Sequence, residues 1–304
     1  MSGWLPLAFA VGIAGGAALT WILTRGNGAD TSRRAYGIKV AVVTFVASVA
    51  VTLAAVYGVV KWKFRSRPVQ KASVEDAVKD FRQKKVASSS SKQPVVATFN
   101  VPGAGVYTYK ATGYYQVDAP IVGKDRRELP ATVPGMLAAD GNCWALTIRF
   151  FKRHTWKARY CKADENKQSM ETTTTANEFF GRKVGGFYGC TPAALVKAEM
   201  KPDHSWTQLC KSKKKKHKDR KGTPVKVTFV GNETLAIGNA KLQARHIRRT
   251  IVMTGRQKGT TVRDLWFDQT SGLLLRLSEK GSSAGMAKFE ADWQLTLANA
   301  TPSK

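Results

Sequence analysis

Four histidines, four cysteines and a run of lysines are the side chains of this 304-residue chain with the most chemistry to offer. His154, His204, His217 and His246 fall into neither H-E-x-x-H nor H-x-H, and no C-x-x-C couple accompanies them, so the sequence signals no metal centre. Each reads as an isolated surface side chain. A G-x-S-x-G nucleophile elbow and a G-x-x-x-x-G-K-[ST] phosphate loop are both absent. Asp264 and Asp268 flank LWF in a predicted strand, where a side-chain period of two puts them on one face, as an acid pair requires. Ion pairing with Arg263 or Arg276, or capping of the next turn by Asp268, is the preferred reading of that spacing. No catalytic residue, metal or cofactor is assigned, and the chain reads as a non-enzyme.

The lysine run is the loudest electrostatic feature. Lys211, Lys213, Lys214, Lys215, Lys216, Lys218, Arg220 and Lys221 place eight cations within residues 211 to 221, in a chain whose formal charge is +28. Such a segment neutralises phosphates without reading sequence, so anionic lipid headgroups, anionic wall polymers and nucleic acid are all candidate partners. No aromatic residue interrupts it, which removes the base stacking of a dedicated single-strand binder. It is expected to be a disordered loop over 211–222, acting as an electrostatic tether.

All four cysteines lie in the C-terminal part. Cys143 and Cys161 are 18 positions apart and Cys190 and Cys210 are 20 apart, without the close couples of zinc sites. An even set suggests two disulfides and an oxidising compartment, with Cys143–Cys161 and Cys190–Cys210 preferred because each closes a short loop. Free thiols and a four-thiolate zinc site are the alternatives.

The elements that must carry these residues follow from hydropathy. Residues 4–23 and 40–60 contain no ionisable side chain except Tyr57, and each is long enough to cross a bilayer as a helix. MSGW supplies no basic residue before the first run, so that run is read as a span and not as a cleaved signal peptide. Arg25, Arg33, Arg34 and Lys39 favour a cytoplasmic loop between the spans and an exported C-terminal domain, while Lys61, Lys63, Arg65, Arg67 and Lys71 favour the reverse. Residues 62–95 read as a basic stalk with a short helix, in which Ser73 caps the N-terminus and Glu75 and Asp76 suit the helix dipole, followed by a Ser-rich linker.

From residue 96 to 300 strands dominate. GVYTYKATGYYQV, CWALTIRFFK, VKVTFV, TVRDLWFD and FEADWQLTLA are rich in aromatic and β-branched residues, and turn residues separate many of the segments. PAALVKAEM at 192–200 reads as one short helix. The expected fold is mainly β: an extended curved antiparallel sheet, rolling as far as a half barrel, preceded by two transmembrane helices. In a half barrel Trp144, Trp156, Trp266 and Trp293 are candidates for an apolar lipid pocket, and simple core is the competing reading.

The order and spacing of GVYTY (105–109), ELPAT (128–132), Cys143 to Cys161, EFFG (178–181), the second cysteine pair and RDLWFDQTSGLLLR (263–276) resemble a family of actinobacterial membrane-anchored extracytoplasmic proteins with no assigned activity. WFDQTSGLLLR is also similar to the hairpin of lipoprotein-carrier-like half barrels, in which a curved sheet shelters acyl chains. The lysine tract and the first apolar run depart from the first pattern. The resemblance implies a membrane-anchored envelope protein that binds a hydrophobic or anionic envelope component, lipid or wall polymer. The alternative is a membrane-tethered nucleic-acid-binding protein that uses the basic loop.

Overall fold

Alternation of apolar and polar residues gives each strand of the C-terminal region one face that must leave water, and an antiparallel sheet buries that face without an edge only by closing on itself. The computed structural model describes residues 31–63, 69–88, 97–197, 200–212, 222–254 and 257–303. The chain divides into two units, Met1–Arg65 and Ser66–Lys304.

In the first unit, helix α1 (Thr31–Lys63) contains one stretch apolar enough to cross a membrane, Val42–Trp62, with mean hydropathy 2.2. Val43, Phe45, Val51 and Leu53 are all more than 60% exposed, so no protein core accounts for their hydrophobicity. Two of the hydroxyls in this stretch turn back on the helix: Ser48 Oγ donates to the Thr44 carbonyl (2.7 Å) and Thr52 Oγ1 to that of Ser48 (2.8 Å). These two hydroxyls thereby find acceptors within the helix. This helix covers the second expected span; the first, 4–23, lies outside the described residues.

The second unit opens with α2 (Val74–Ser88), started as expected by the Ser73 hydroxyl accepting from the Asp76 amide (3.0 Å). Fourteen strands follow: β1 (Gly105–Ala119), β2 (Gly123–Glu128), β3 (Thr132–Asp140), β4 (Cys143–Phe151), β5 (His154–Asp164), β6 (Lys167–Phe179), β7 (Arg182–Thr191), β8 (Ala194–Val196), β9 (Ser205–Ser212), β10 (Thr223–Ile237), β11 (Ala240–Met253), β12 (Lys258–Asp268), β13 (Leu274–Ala284) and β14 (Lys288–Leu297). Twelve of them form a ring of antiparallel neighbours, β1-β14-β13-β12-β11-β10-β9-β7-β6-β5-β4-β3, which closes where β3 returns to β1. The expected half barrel is thus corrected to a closed barrel. The closing contact is the ten-pair register of β1 on β14, from Tyr109↔Leu297 to Asp118↔Lys288, which joins the first and last strands of the domain and which no local sequence pattern signals. The short strands β2 and β8 lie off the ring, β2 on the second half of β1 and β8 on β6. Gly113 (φ 97°) marks the place where β1 exchanges β3 for β2, and a Cβ there would run into the backbone of Asp292 and Trp293. The short helix expected over 192–200 is replaced by β8. Leu195 and Val196 find burial on β6, and Ala193 accepts from the Met170 amide (2.9 Å).

A ring of twelve strands is wider than side chains fill when it is round. This one is flattened. β5 and β12 stand six places apart in either direction around the ring, yet Tyr160 on β5 meets Phe267 on β12 edge-on, ring centroids 5.4 Å apart, and Arg263 on β12 lies 6.0 Å from the Trp156 ring on β5. The opposed walls therefore touch through their inward side chains. The helix expected in a stalk packs on the outside of this barrel: α2 contacts β1 and β3, Ala77 is fully buried, and Asp80 pairs with Arg149 on the outer face of β4 (2.6 Å).

Candidate functional site

The inward face differs between the two ends of the barrel. At the end carrying the β3–β4, β5–β6, β10–β11 and β12–β13 turns it is apolar: Tyr107, Tyr109, Leu137, Leu146, Leu265, Phe267, Leu277 and Leu295 are at most 2% exposed. Lys162 reaches out of this layer to place its ammonium on the Thr270 carbonyl (2.6 Å) and beside Glu165 (3.3 Å).

At the other end, where β6 turns into β7 and β9 leads through residues 213–221 to β10, the interior is polar. Arg249 and Arg263 are directly opposed on β11 and β12 and both face inward. Arg263 is answered by Glu279 of β13, whose carboxylate accepts from Nε (2.9 Å) and from Nη2. Arg127 of β2 is answered by Asp125, with Nη2 to Oδ2 at 2.8 Å, and that carboxylate also accepts from the Phe180 amide (3.1 Å). Arg249, 3% exposed, has no carboxylate partner among the described residues. Its Nη2 donates to Gln208 Oε1 (3.1 Å), lies against both sulfurs of the Cys190–Cys210 disulfide (3.5 and 3.6 Å), and its Nε has no acceptor. Three guanidiniums thus face two carboxylates in one interior. Burial, helped by the neighbouring charge of Arg263, pulls Arg249 down to about 9. That still leaves it a cation at neutral pH.

The surrounding groups donate more than they accept. Trp156 Nε1 and Arg127 Nη1 have no acceptor among the described residues, and the Tyr160 hydroxyl, within the field of Arg249 and Arg263, is also without a partner. Burial raises Tyr160 and Tyr115 well above the ordinary phenol range, so both stay protonated. His154, ringed by Tyr115, Phe150, Phe151 and Phe179 at 4.3–5.9 Å, is driven down to about 3 by burial and by the charge of Arg127, and is neutral. Neither these phenols nor this imidazole is poised for proton transfer near pH 7.

The second polar cluster lies on the outer face. His246 places Nε2 2.8 Å from Asp264 Oδ1 and Nδ1 3.2 Å from Glu233 Oε1, and it stacks on Trp266 (centroids 4.2 Å apart, 18° between planes). Trp266 donates to Glu233, Arg248 pairs with Asp264 (2.8 Å), and Arg276 covers the Trp266 ring (5.3 Å). Asp264 is partly buried, which raises it, but the hydrogen bonds from His246 and Arg248 outweigh that and hold it below the usual carboxylate range. Both imidazole nitrogens face carboxylates, leaving neither for a substrate. The partners expected for Asp264 were Arg263 or Arg276; the register supplies Arg248 and His246 instead, because Arg263 faces inward and Arg276 lies over Trp266. Asp268 caps its turn, accepting from the Ser271 amide (2.7 Å) and hydroxyl (2.6 Å).

Both disulfides of the expected pairing are formed, each between directly opposed strand residues. Cys143–Cys161 lies on the outer face of β4 and β5. Cys190–Cys210 faces inward across β7 and β9, which share only four register pairs. The four tryptophans do not converge on one pocket. Trp144 packs on Tyr160 (5.8 Å), Trp293 on Tyr115 and Phe150 (5.6 and 5.2 Å) and Trp156 near Arg263, all inside, whereas Trp266 belongs to the outer cluster. Of the basic tract, Lys211 is an exposed β9 residue opposite Gly189; Lys213, Lys214, Lys215, Lys216, Lys218, Arg220 and Lys221 lie outside the described residues. Arg249 and Glu279 drew no attention as sequence, since RHIRRTIVM and LRLSEK carry no motif; only the unusual share of arginine within one apolar strand hinted at a buried cation. No family model matches the chain, and no curated protein and no solved structure matches it.

Proposed function

We propose that this chain is a non-enzymatic, membrane-anchored envelope protein whose exported β-barrel binds an anionic or amphiphilic envelope component. The observation that carries the reading is the pair of cross-strand disulfides in a barrel linked to an apolar helix with no protein core around it. Two disulfides and no free cysteine are what a chain folded outside the reducing cytoplasm acquires. The formal charge of +28 draws such a domain to anionic headgroups and wall polymers, and the donor-rich end of the barrel is matched to an acceptor ligand.

Topology is the test. Intact cells are treated with a membrane-impermeant thiol reagent before and after an impermeant reductant, and the labels are counted by mass. Labelling of four cysteines only after reduction is expected. Labelling that requires lysis but no reductant would overturn the reading and favour a cytoplasmic, membrane-tethered nucleic-acid binder acting through the lysine tract.

A further inference from the structure

Most buried charges in the barrel are answered locally, by Asp125 for Arg127 and by Glu279 for Arg263. Among the described residues the exception is Arg249. A guanidinium shut away from water retains its charge only at a large desolvation cost unless an anion faces it. Here the neighbouring Arg263 adds repulsion, and the local acceptors are one amide oxygen and three sulfur atoms, those of Cys190, Cys210 and Met170. The Nε edge is unused, and the Tyr160 hydroxyl and the Trp156 indole nitrogen are unpartnered donors of the same interior. The group that fits them is acceptor-only, negatively charged and planar or tetrahedral at the oxygens, as a carboxylate or phosphate is.

The same end of the barrel offers a way in. On the inner face of β7, Val184 is 60% exposed and Tyr188 is 42% exposed. This follows from the topology: β9 pairs with β7 only over Tyr188–Thr191, so among the described residues the first half of β7 has β6 on one side and no strand on the other. Tyr188 folds back along its own strand over Gly186, where a Cβ would run into its ring. Apolar wall therefore lies exposed above a buried cation.

We propose that Arg249 is the recognition group for the oxyanion of a single-chain amphiphile, a carboxylate or phosphate monoester, which enters the barrel along the inner face of β7 between Val184 and Tyr188. Its Nε and Nη2 form the fork for two ligand oxygens, with Nη2 released from Gln208 or shared with it. The apolar stem of the ligand lies on Tyr188 and Val184. This deepens the proposed envelope function and rests on it for the identity of the natural ligand, but not for the chemistry of the site.

The experiment is calorimetric titration of the full chain, reconstituted in phosphatidylcholine nanodiscs, against empty discs. The probes are octyl phosphate, octanoate, octanol and inorganic phosphate. Octyl phosphate and octanoate are expected to bind, octanol and inorganic phosphate at least tenfold more weakly. Arg249→Gln should lose at least tenfold in affinity for both anions, and Arg249→Lys should recover part of it. Exchange of the exposed Lys157 for Gln should change nothing. Equal binding of octanol and octyl phosphate, or unchanged binding by a folded Arg249→Gln variant, would overturn the assignment; inorganic phosphate binding as tightly as octyl phosphate would overturn the amphiphile class. Because the titration is done on purified protein, a cytoplasmic outcome of the labelling experiment would leave its result untouched, so the two proposals fail separately.

Discussion

The two ends of the barrel interior are built from the same strands and obey opposite rules. At the apolar end β12 contributes Leu265 and Phe267, β11 contributes Ile247, and burial alone accounts for their positions. Two residues further along the same strand pair the inward residues are Arg249 and Arg263, and burial works against them. The first end specifies the fold and the second tolerates a fold already specified.

The largest effect should come from the apolar end. Phe267→Ala removes the ring that joins opposed walls through Tyr160, and is expected to cost about 3–5 kcal/mol in denaturant unfolding, against roughly 1 kcal/mol for a surface change. A loss near 1 kcal/mol would mean that the walls do not depend on that contact.

Acid should attack the polar end selectively. The folded-state value of His154 is about 3, below the usual 6.5, so the unfolded chain binds its proton more readily; stability is complete above pH 6.5 and is lost progressively as pH falls toward 3. Thermal melts at pH 7 and pH 4 should differ by about 3 kcal/mol from this group, and His154→Phe should flatten the curve over that window. An unchanged pH profile in the variant would assign the acid sensitivity elsewhere.

The disulfides sharpen the same comparison. They close chain segments of 18 and 20 residues, so their effect on the unfolded chain is nearly equal, about 3 kcal/mol. Any difference between the paired serine variants then reports the native wall. Cys190→Ser with Cys210→Ser should cost more than the pair at 143 and 161, because β7 and β9 have four register pairs where β4 and β5 have eight. Equal costs would show that the β7–β9 seam is no weaker than the rest. The smallest effect is expected outside the barrel, where Asp80→Asn breaks a partly exposed pair with Arg149 and should change stability by under about 1 kcal/mol.

What could be read from the residues divides along the same line. Strand segments, the Ser73 cap, the Asp268 turn and the disulfide pairs were legible because each depends on neighbours in sequence. Barrel closure was not, since it rests on β1 meeting β14 across nearly the whole domain. The Arg249 site was hidden for a related reason: its loneliness is a property of who stands opposite, and Glu279 answers Arg263 instead. His246 read as an isolated surface residue until register placed Asp264 and Glu233 on either side of it.

The central claim is that Arg249 is a buried cation that no carboxylate among the described residues neutralises. Melting the full chain and its Arg249→Met variant at pH 7, without ligand, tests it most directly. Removal of an unanswered buried charge should raise stability by about 1–3 kcal/mol, an increase of several degrees in Tm. A fall of several degrees would show that Arg249 is a structural clamp on Gln208 and the Cys190–Cys210 disulfide, and would contradict the account.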